Sequence, residues 1–325
     1  MTTNTYEKIR EILGKVGKMT AFQLADELNI SRQAMHRQLK NLQRDNIIDK
    51  IGTPPKVFYF IKEKPGIVNN LPIDAKLKKF IDQYYLIITP AGERKTGWEG
   101  FSYWCRKNKL DSAKTAVEYK NTLAKYFSFK KDGLIDGLGK IRNTFNKVNL
   151  DALYYLDFYS LERFGKTRLG QLLLYAKQSQ DKNLMKELIK DIKPAIDKLI
   201  KNKNIDAVGF VPPTVKREIQ FMKQLEKNLN LNLPRITITK IKTPVIIPQK
   251  TLNKLEDRME NAKRTFMVDS NITSQNILLI DDAVGSGATI NEIAGQLRYK
   301  KDGIIKIIGL AITGSLKGFD VISEI

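Results

Sequence analysis

The stretch ILLIDDAVGSGATINEIAGQLR, residues 277–298, constrains the fold of this chain more than any other. Four apolar residues, Ile277 to Ile280, read as a short strand buried on both faces, as in a parallel sheet. The run ends in two adjacent carboxylates, Asp281 and Asp282. It then passes through Ala283 and Val284 into the small-residue turn Gly285-Ser286-Gly287-Ala288-Thr289 and an amphipathic helix. Strand, glycine-bearing turn and helix in that order set backbone N–H groups and the positive end of a helix dipole at the carboxyl edge of a sheet. That arrangement cradles one phosphate. Carboxylates at its rim repel a bare phosphate, so they need another partner: sugar hydroxyls, or a Mg2+ that travels with the ligand. The combination asks for a phosphorylated ribose. The bland alternative is a doubly wound domain whose acids end a strand and cap the next helix. A nucleotide P-loop fits less well, because no Gly-Lys-Ser/Thr follows the glycines.

A chain of 325 residues predicts two or three domains. Its single cysteine, Cys105, excludes an intramolecular disulfide framework and suits a reducing compartment. The stretch MTTNTYEKIREIL has no apolar core of a leader, and no run of about 18 apolar residues occurs, so a cytoplasmic location is expected. With 56 Lys and Arg against 35 Asp and Glu, the formal charge of +21 points to polyanionic partners, although a lysine-rich proteome produces the same bias.

Residues 1–62 form the first expected unit. TYEKIREILGK carries Ile9, Ile12 and Leu13 on one helical face; Thr20 caps AFQLADELN, and Ser31 caps RQAMHRQLKNLQRDN. IIDKIG and KVFYFI alternate as two strands joined by Thr53-Pro54-Pro55-Lys56. Helix, short helix, turn at Asn29-Ile30, third helix and hairpin resemble a winged helix-turn-helix. Leu24, Ala25, Leu28, Ile30, Met35, Leu39 and Leu42 are its expected core. Ser31, Arg32, Gln33, His36, Arg37 and Lys40, with Lys56 on the wing, are its expected DNA-binding residues. His36, the only histidine, stands where a groove contact or a solvated position suits it better than catalysis. Here 11 Lys and Arg face 6 Asp and Glu, an excess of +5 that permits DNA binding. Winged helices also serve as protein contacts, so a homodimer or a partner protein is compatible with the same unit.

Residues 63–75, with two prolines, a glycine and two asparagines, read as a linker, and residues 76–149 as a mostly helical middle region. AKLKKFIDQYYLIIT, GWEGFSYWCRKNK, SAKTAVEYKNTLAKYF and LIDGLGKIRNTFN suggest four helices. Trp98, Phe101, Trp104 and Cys105 share a helical face whose spacing reads as core more readily than as a base-stacking stripe. From 150 to 325, strands alternate with helices: LDALYYLDFYS, IDAVGFVPP, PRITITK, the opening stretch and IIKIIGLAIT are the expected strands, and KREIQFMKQLEKNL the helix after the second. That alternation implies an α/β fold with a parallel sheet.

The run ILLIDDAVGSGAT resembles, without a gap, the signature by which type I phosphoribosyltransferases hold phosphoribosyl pyrophosphate (PRPP). The half from Leu150 onward is similar to the competence protein ComF branch of that family, through VPPTVKREIQ, through Arg258, Asn261 and Phe266 in EDRMENAKRTF, and through the upstream helix LLLYAKQSQD. That branch usually opens with a cysteine-rich zinc module, which one cysteine cannot supply. The resemblance implies a Rossmann-like sheet and a site for PRPP with Mg2+. Asp281 and Asp282 would hold the ribose hydroxyls and the metal. Ala283 and Val284 would adjoin bound PRPP, and the backbone N–H groups of Gly285, Ser286, Gly287, Ala288 and Thr289, with the Ser286 and Thr289 hydroxyls, would take the 5-phosphate. Thr214, Lys216 and Arg217 would grip the diphosphate, or else form ordinary helix N-terminal surface. Arg258 would close over the diphosphate or pair with Asp257 or Glu260. Family members that use 6-oxopurines place an aspartate where this chain has Gly285, so hypoxanthine and guanine are disfavoured acceptors.

Two functions fit this multidomain α/β chain. One is a DNA-delivered phosphoribosyltransferase, of which a phage-defence effector is a variant. The other is a transcriptional regulator whose DNA affinity answers to PRPP or a nucleotide without turnover.

Overall fold

The computed structural model describes residues 5–62, 73–213, 215, 217–245, 247–268, 273–300 and 303–315. The chain divides into two compact units, Met1–Asn69 and Asn70–Ile325. Of the linker expected at 63–75, residues 63–72 lie outside the described residues. Among the described residues no helix is long and apolar enough to cross a membrane.

The first unit runs α1 (Thr5–Val16), β1 (Lys18–Thr20), α2 (Ala21–Glu27), α3 (Arg32–Arg44), β2 (Ile48–Thr53) and β3 (Lys56–Ile61). Thr20 starts α2 through a capping box: its Oγ1 accepts from Gln23 N at 3.2 Å, and Gln23 Oε1 accepts from Thr20 N at 2.9 Å. Asn29 turns the chain between α2 and α3 with φ of 50°. Ile9, Leu13, Leu24, Ala25, Met35, Leu39 and Leu42 close the core with Ile48 and Tyr59, while Leu28 and Ile30 pack half-buried against it. β2 and β3 form the expected antiparallel wing. An unexpected third strand, β1, pairs with the other edge of β3. Three residues between two helices are too few to show a periodicity in the sequence.

The second unit begins with α4 (Ala75–Tyr84), β4 (Leu86–Ile88), β5 (Arg94–Thr96), α5 (Gly97–Lys107), α6 (Ser112–Phe127), β6 (Lys130–Lys131), β7 (Leu134–Asp136) and α7 (Leu138–Thr144). The four expected helices form, but the first ends early and the fourth starts late. Ile87, Ile88 and Thr89 crowd a helix at χ1 and suit a strand, and β4 pairs with β5 instead. Leu134–Asp136 likewise leaves the helix to join a sheet. Phe101 and Cys105 are fully buried and Trp98 and Trp104 pack on the same core, so the aromatic face is structural.

There follow β8 (Ala152–Phe158), β9 (Ser160–Leu161), β10 (Gly165–Lys166), α8 (Arg168–Ser179), α9 (Lys182–Lys203), β11 (Ala207–Phe210), α10 (Phe221–Leu229), β12 (Arg235–Ile236) and β13 (Ile238–Lys240). The unit ends with α11 (Leu255–Thr265), β14 (Phe266–Val268), β15 (Asn276–Val284), α12 (Ala288–Lys300) and β16 (Lys306–Gly314). A seven-stranded sheet has the order β12-β11-β15-β16-β8-β7-β6. Its first five strands are parallel, and the β6–β7 hairpin adds antiparallel to β8. Residues from the stretch expected as a separate helical region thus extend the sheet, and Tyr119 and Ile141 share one core with Tyr155 and Ile277. On β15 the pleat sends Ile277 and Leu279 into that core and Leu278 and Ile280 into a second one with α8, α9 and α10. PRITITK breaks at Thr237 into β12 and β13, which pair in different sheets. α10 begins at Phe221, five residues later than the sequence suggested.

Strand order positions the site. From β11 the chain crosses to β12 on one side, whereas from β15 it crosses to β16 on the other. The two connections diverge and leave a crevice outside the carboxyl ends of β11 and β15, the place where open parallel sheets bind ligands.

Candidate functional site

A cleft of about 220 Å³ occupies that switch point. Its walls are the segment after β11 (Val211–Pro213, Val215, Arg217, Gln220), the run Asp281–Ile290, Lys177 of α8, and Gln249, Arg258 and Phe266 from the excursion between β12 and β15. Asp281, Asp282, Ala283, Val284, the turn from Gly285 to Thr289, Arg217 and Arg258 therefore come together in one place. Thr214 and Lys216 lie outside the described residues.

β15 continues through the acids to Val284, so neighbouring side chains leave it toward opposite faces. Asp282 meets Lys177 Nζ at 2.8 Å, on the face where α8 packs. Asp281 Oδ1 accepts from Asp282 N at 2.8 Å. Burial, and after it the charge of Asp282, push the Asp281 carboxyl well above the ordinary carboxylate range, against the opposing pull of the Asp282 N–H and Lys177. Lys177 carries no motif of its own in the sequence. Its signal was a cation in the last turn of the otherwise apolar helix LGQLLLYAK.

The turn is built for backbone approach. Gly287 has φ of +84°, where an L side chain is strained, and a Cβ there would also displace the tip of Ile141. Ser286 is buried and its Oγ accepts from Ala288 N at 3.4 Å, at the start of α12. Among the described residues the N–H groups of Gly285, Ser286 and Gly287 have no hydrogen-bond acceptor. Asn291 anchors the helix behind the turn: its Oδ1 accepts from Asn149 N at 2.8 Å and its Nδ2 donates to Lys147 O at 3.0 Å.

Arg258 is only 5% exposed. Its Nε donates to Leu252 O at 2.7 Å, and its own carbonyl accepts from Gln249 Nε2 at 3.0 Å. A Cβ added to Gly285 would lie 3.8 Å from Arg258 Nη1, so the guanidinium fronts the turn. Burial lowers its pKa. It has no carboxylate partner among the described residues, and Glu260 pairs with Arg264 at 2.9 Å instead. Arg217 donates through Nη1 to the carbonyl of Lys177, and Ile219 N donates to Gln180 Oε1 at 2.6 Å. These bonds moor the segment after β11 to the end of α8. Among the described residues no group of three or more His, Cys, Asp or Glu could hold a metal by itself.

In the first unit, Ser31 caps α3, its Oγ accepting from Ala34 N at 3.2 Å. Met35, Leu39 and Leu42 bury one face of the helix; Arg32, Gln33, His36, Arg37 and Lys40 are exposed on the rest, and Lys56 is exposed on the wing. The Arg32 guanidinium lies over the Phe22 ring, 4.5 Å from its centroid.

Residues 7–49 match the family described as winged helix-turn-helix DNA-binding. The first unit is a winged helix-turn-helix DNA-binding domain. No curated protein matches the chain.

Proposed function

We propose that the cleft of the second unit binds PRPP together with Mg2+, and that the chain is a DNA-binding phosphoribosyltransferase that releases pyrophosphate. The observation that carries this reading is Arg258, a guanidinium buried at the cleft wall that among the described residues has no carboxylate partner, fronting a glycine turn whose N–H groups have no acceptor among them. An uncompensated buried charge is costly, so such a site favours an anionic ligand. The same cleft is also lined by Asp281 and Asp282, which a ligand of phosphates alone would not tolerate. A molecule with phosphates at one end and vicinal hydroxyls at the other satisfies both. The volume, below the roughly 300–1,000 Å³ of drug-sized sites, suits one such molecule with its acceptor side open to solvent.

In this reading Asp281 and Asp282 hold the ribose hydroxyls and present carboxylate oxygens to the metal. Two carboxylates fit a Mg2+ that takes its other ligands from phosphate and water. A Mg2+ held by Asp281 and Asp282 would supply charge neutralisation for the departing diphosphate. The turn Gly285–Thr289 receives the 5-phosphate, Arg258 faces the diphosphate, and Lys177, which holds Asp282 in the free site, would yield that carboxylate to the metal and turn to an oxygen of the ligand. Arg217 shapes the site by holding the segment after β11.

A second reading is a sensor that binds the same ligand without turnover and alters DNA affinity. It is favoured by the lining of the cleft, which among the described residues offers no acid or histidine beyond the pair itself to deprotonate an acceptor. Pyrophosphate release by the purified chain, assayed across bases, nucleotides and oligonucleotides with Mg2+, separates the two. Release that depends on an acceptor establishes the transferase. Tight binding without release, with a change in DNA affinity on saturation, establishes the sensor; by reciprocity DNA must then change ligand affinity by the same factor.

A further inference from the structure

We infer that Arg32 reads a guanine in the major groove of the bound duplex and that Phe22 is the positioning residue that aims it. Arg32 is the first residue of α3, so its side chain stands at the end of the helix that meets base edges first. It is exposed, and among the described residues no carboxylate engages it, whereas Arg44 at the far end of the same helix lies 3.6 Å from Asp45. What holds Arg32 is the ring of Phe22.

Phe22 is 49% exposed although Leu24 and Ala25 beside it are buried, so its ring fills no core. It forms a shelf. A guanidinium resting on an aromatic face keeps its plane and its outward donors fixed before any partner arrives. Less side-chain freedom is then lost on binding. A phosphate contact gains little from this, because a mobile cation satisfies a phosphate as well. Arg37 and Lys40, farther along the helix, have no aromatic shelf among the described residues and suit that role. A base edge is different: guanine offers O6 and N7 as two acceptors in one plane, which a pre-set fork meets with two parallel hydrogen bonds. The capped start of α3 fixes the backbone from which the fork projects.

The test starts with selection of sites from a random duplex pool by the full chain. Anisotropy titrations follow, on the selected site and on duplexes carrying each of the four bases at every position, at several salt concentrations. One position should require guanine. Arg32→Ala should lose roughly 5- to 150-fold of discrimination at that position, keep the preferences elsewhere and keep the salt slope. Phe22→Leu retains apolar bulk without the ring; it should lose part of the same discrimination with an unchanged thermal melt, and Phe22→Trp should restore it. If Arg32→Ala weakens all four duplexes equally and reduces the salt slope by about one, Arg32 is a phosphate contact and the proposal fails. It fails equally if no guanine preference depends on Arg32. Full discrimination in Phe22→Leu overturns the positioning role.

Discussion

The molecule offers cations to anions in two physically different ways. On α3, Arg37 and Lys40 stand in solvent on a helix whose other face closes a small core. Beside β15, Arg258 is removed from water, moored by its Nε, and fronts the turn after the strand. Solvated cations gain affinity by releasing counterions from a polyanion, an effect that fades with salt and tolerates many geometries. A buried cation gains little from counterions. It acts through a fixed position in a medium of low dielectric, and it costs stability until an anion arrives. Under the proposed function, the first surface serves a polymer and the second one small molecule.

Removing charge separates the two most sharply at Arg258. Arg258→Met should weaken PRPP binding roughly 10- to 100-fold, as expected for a lost charge-assisted contact. The thermal midpoint of the ligand-free chain should stay or rise, because a buried unpaired charge is gone. A variant that loses stability and keeps affinity would make Arg258 a structural residue and erase the contrast. On the other surface, Arg37→Ala with Lys40→Ala should lower the salt slope of duplex binding by about two units while leaving PRPP affinity alone. An unchanged slope would mean that the exposed face of α3 meets something other than phosphate.

The smallest effect concerns pH. Burial holds the Asp281 carboxyl above its unfolded value. Its folded form keeps the proton longer, so its contribution to stability is present at low pH and is lost as pH rises through the folded pKa. Asp281→Asn cannot ionise. The excess of its melting temperature over that of the natural chain should grow by a few degrees between about pH 5 and about pH 8. A gap independent of pH would show that the carboxyl titrates as an ordinary exposed acid.

What could be read in the sequence follows from how local each signal is. Capping residues and helical periodicity lie within a few positions of one another, so Thr20, Ser31 and the core from Leu24 to Leu42 were legible, as was the buried strand Ile277–Ile280. β1 and β7 are three residues long and are strands only because β3 and β8 lie beside them. Lys177 reaches Asp282 across more than a hundred residues, a pairing created by helix α8 covering the sheet. The burial of Arg258 has the same origin: EDRMENAKRTF looks solvated, and the guanidinium leaves water only because the fold brings α11 against α12 and sets Arg258 between Leu252 and the turn after β15.

Calorimetry of the full chain with PRPP at fixed free Mg2+, beside the Asp281→Asn, Asp282→Asn double variant, tests the central claim most directly. The account predicts saturable heat for the natural chain, much weaker heat with ribose 5-phosphate or inorganic phosphate, and none for a double variant that remains folded. Undiminished PRPP binding by the double variant, or no PRPP binding by the natural chain at millimolar ligand, would contradict it.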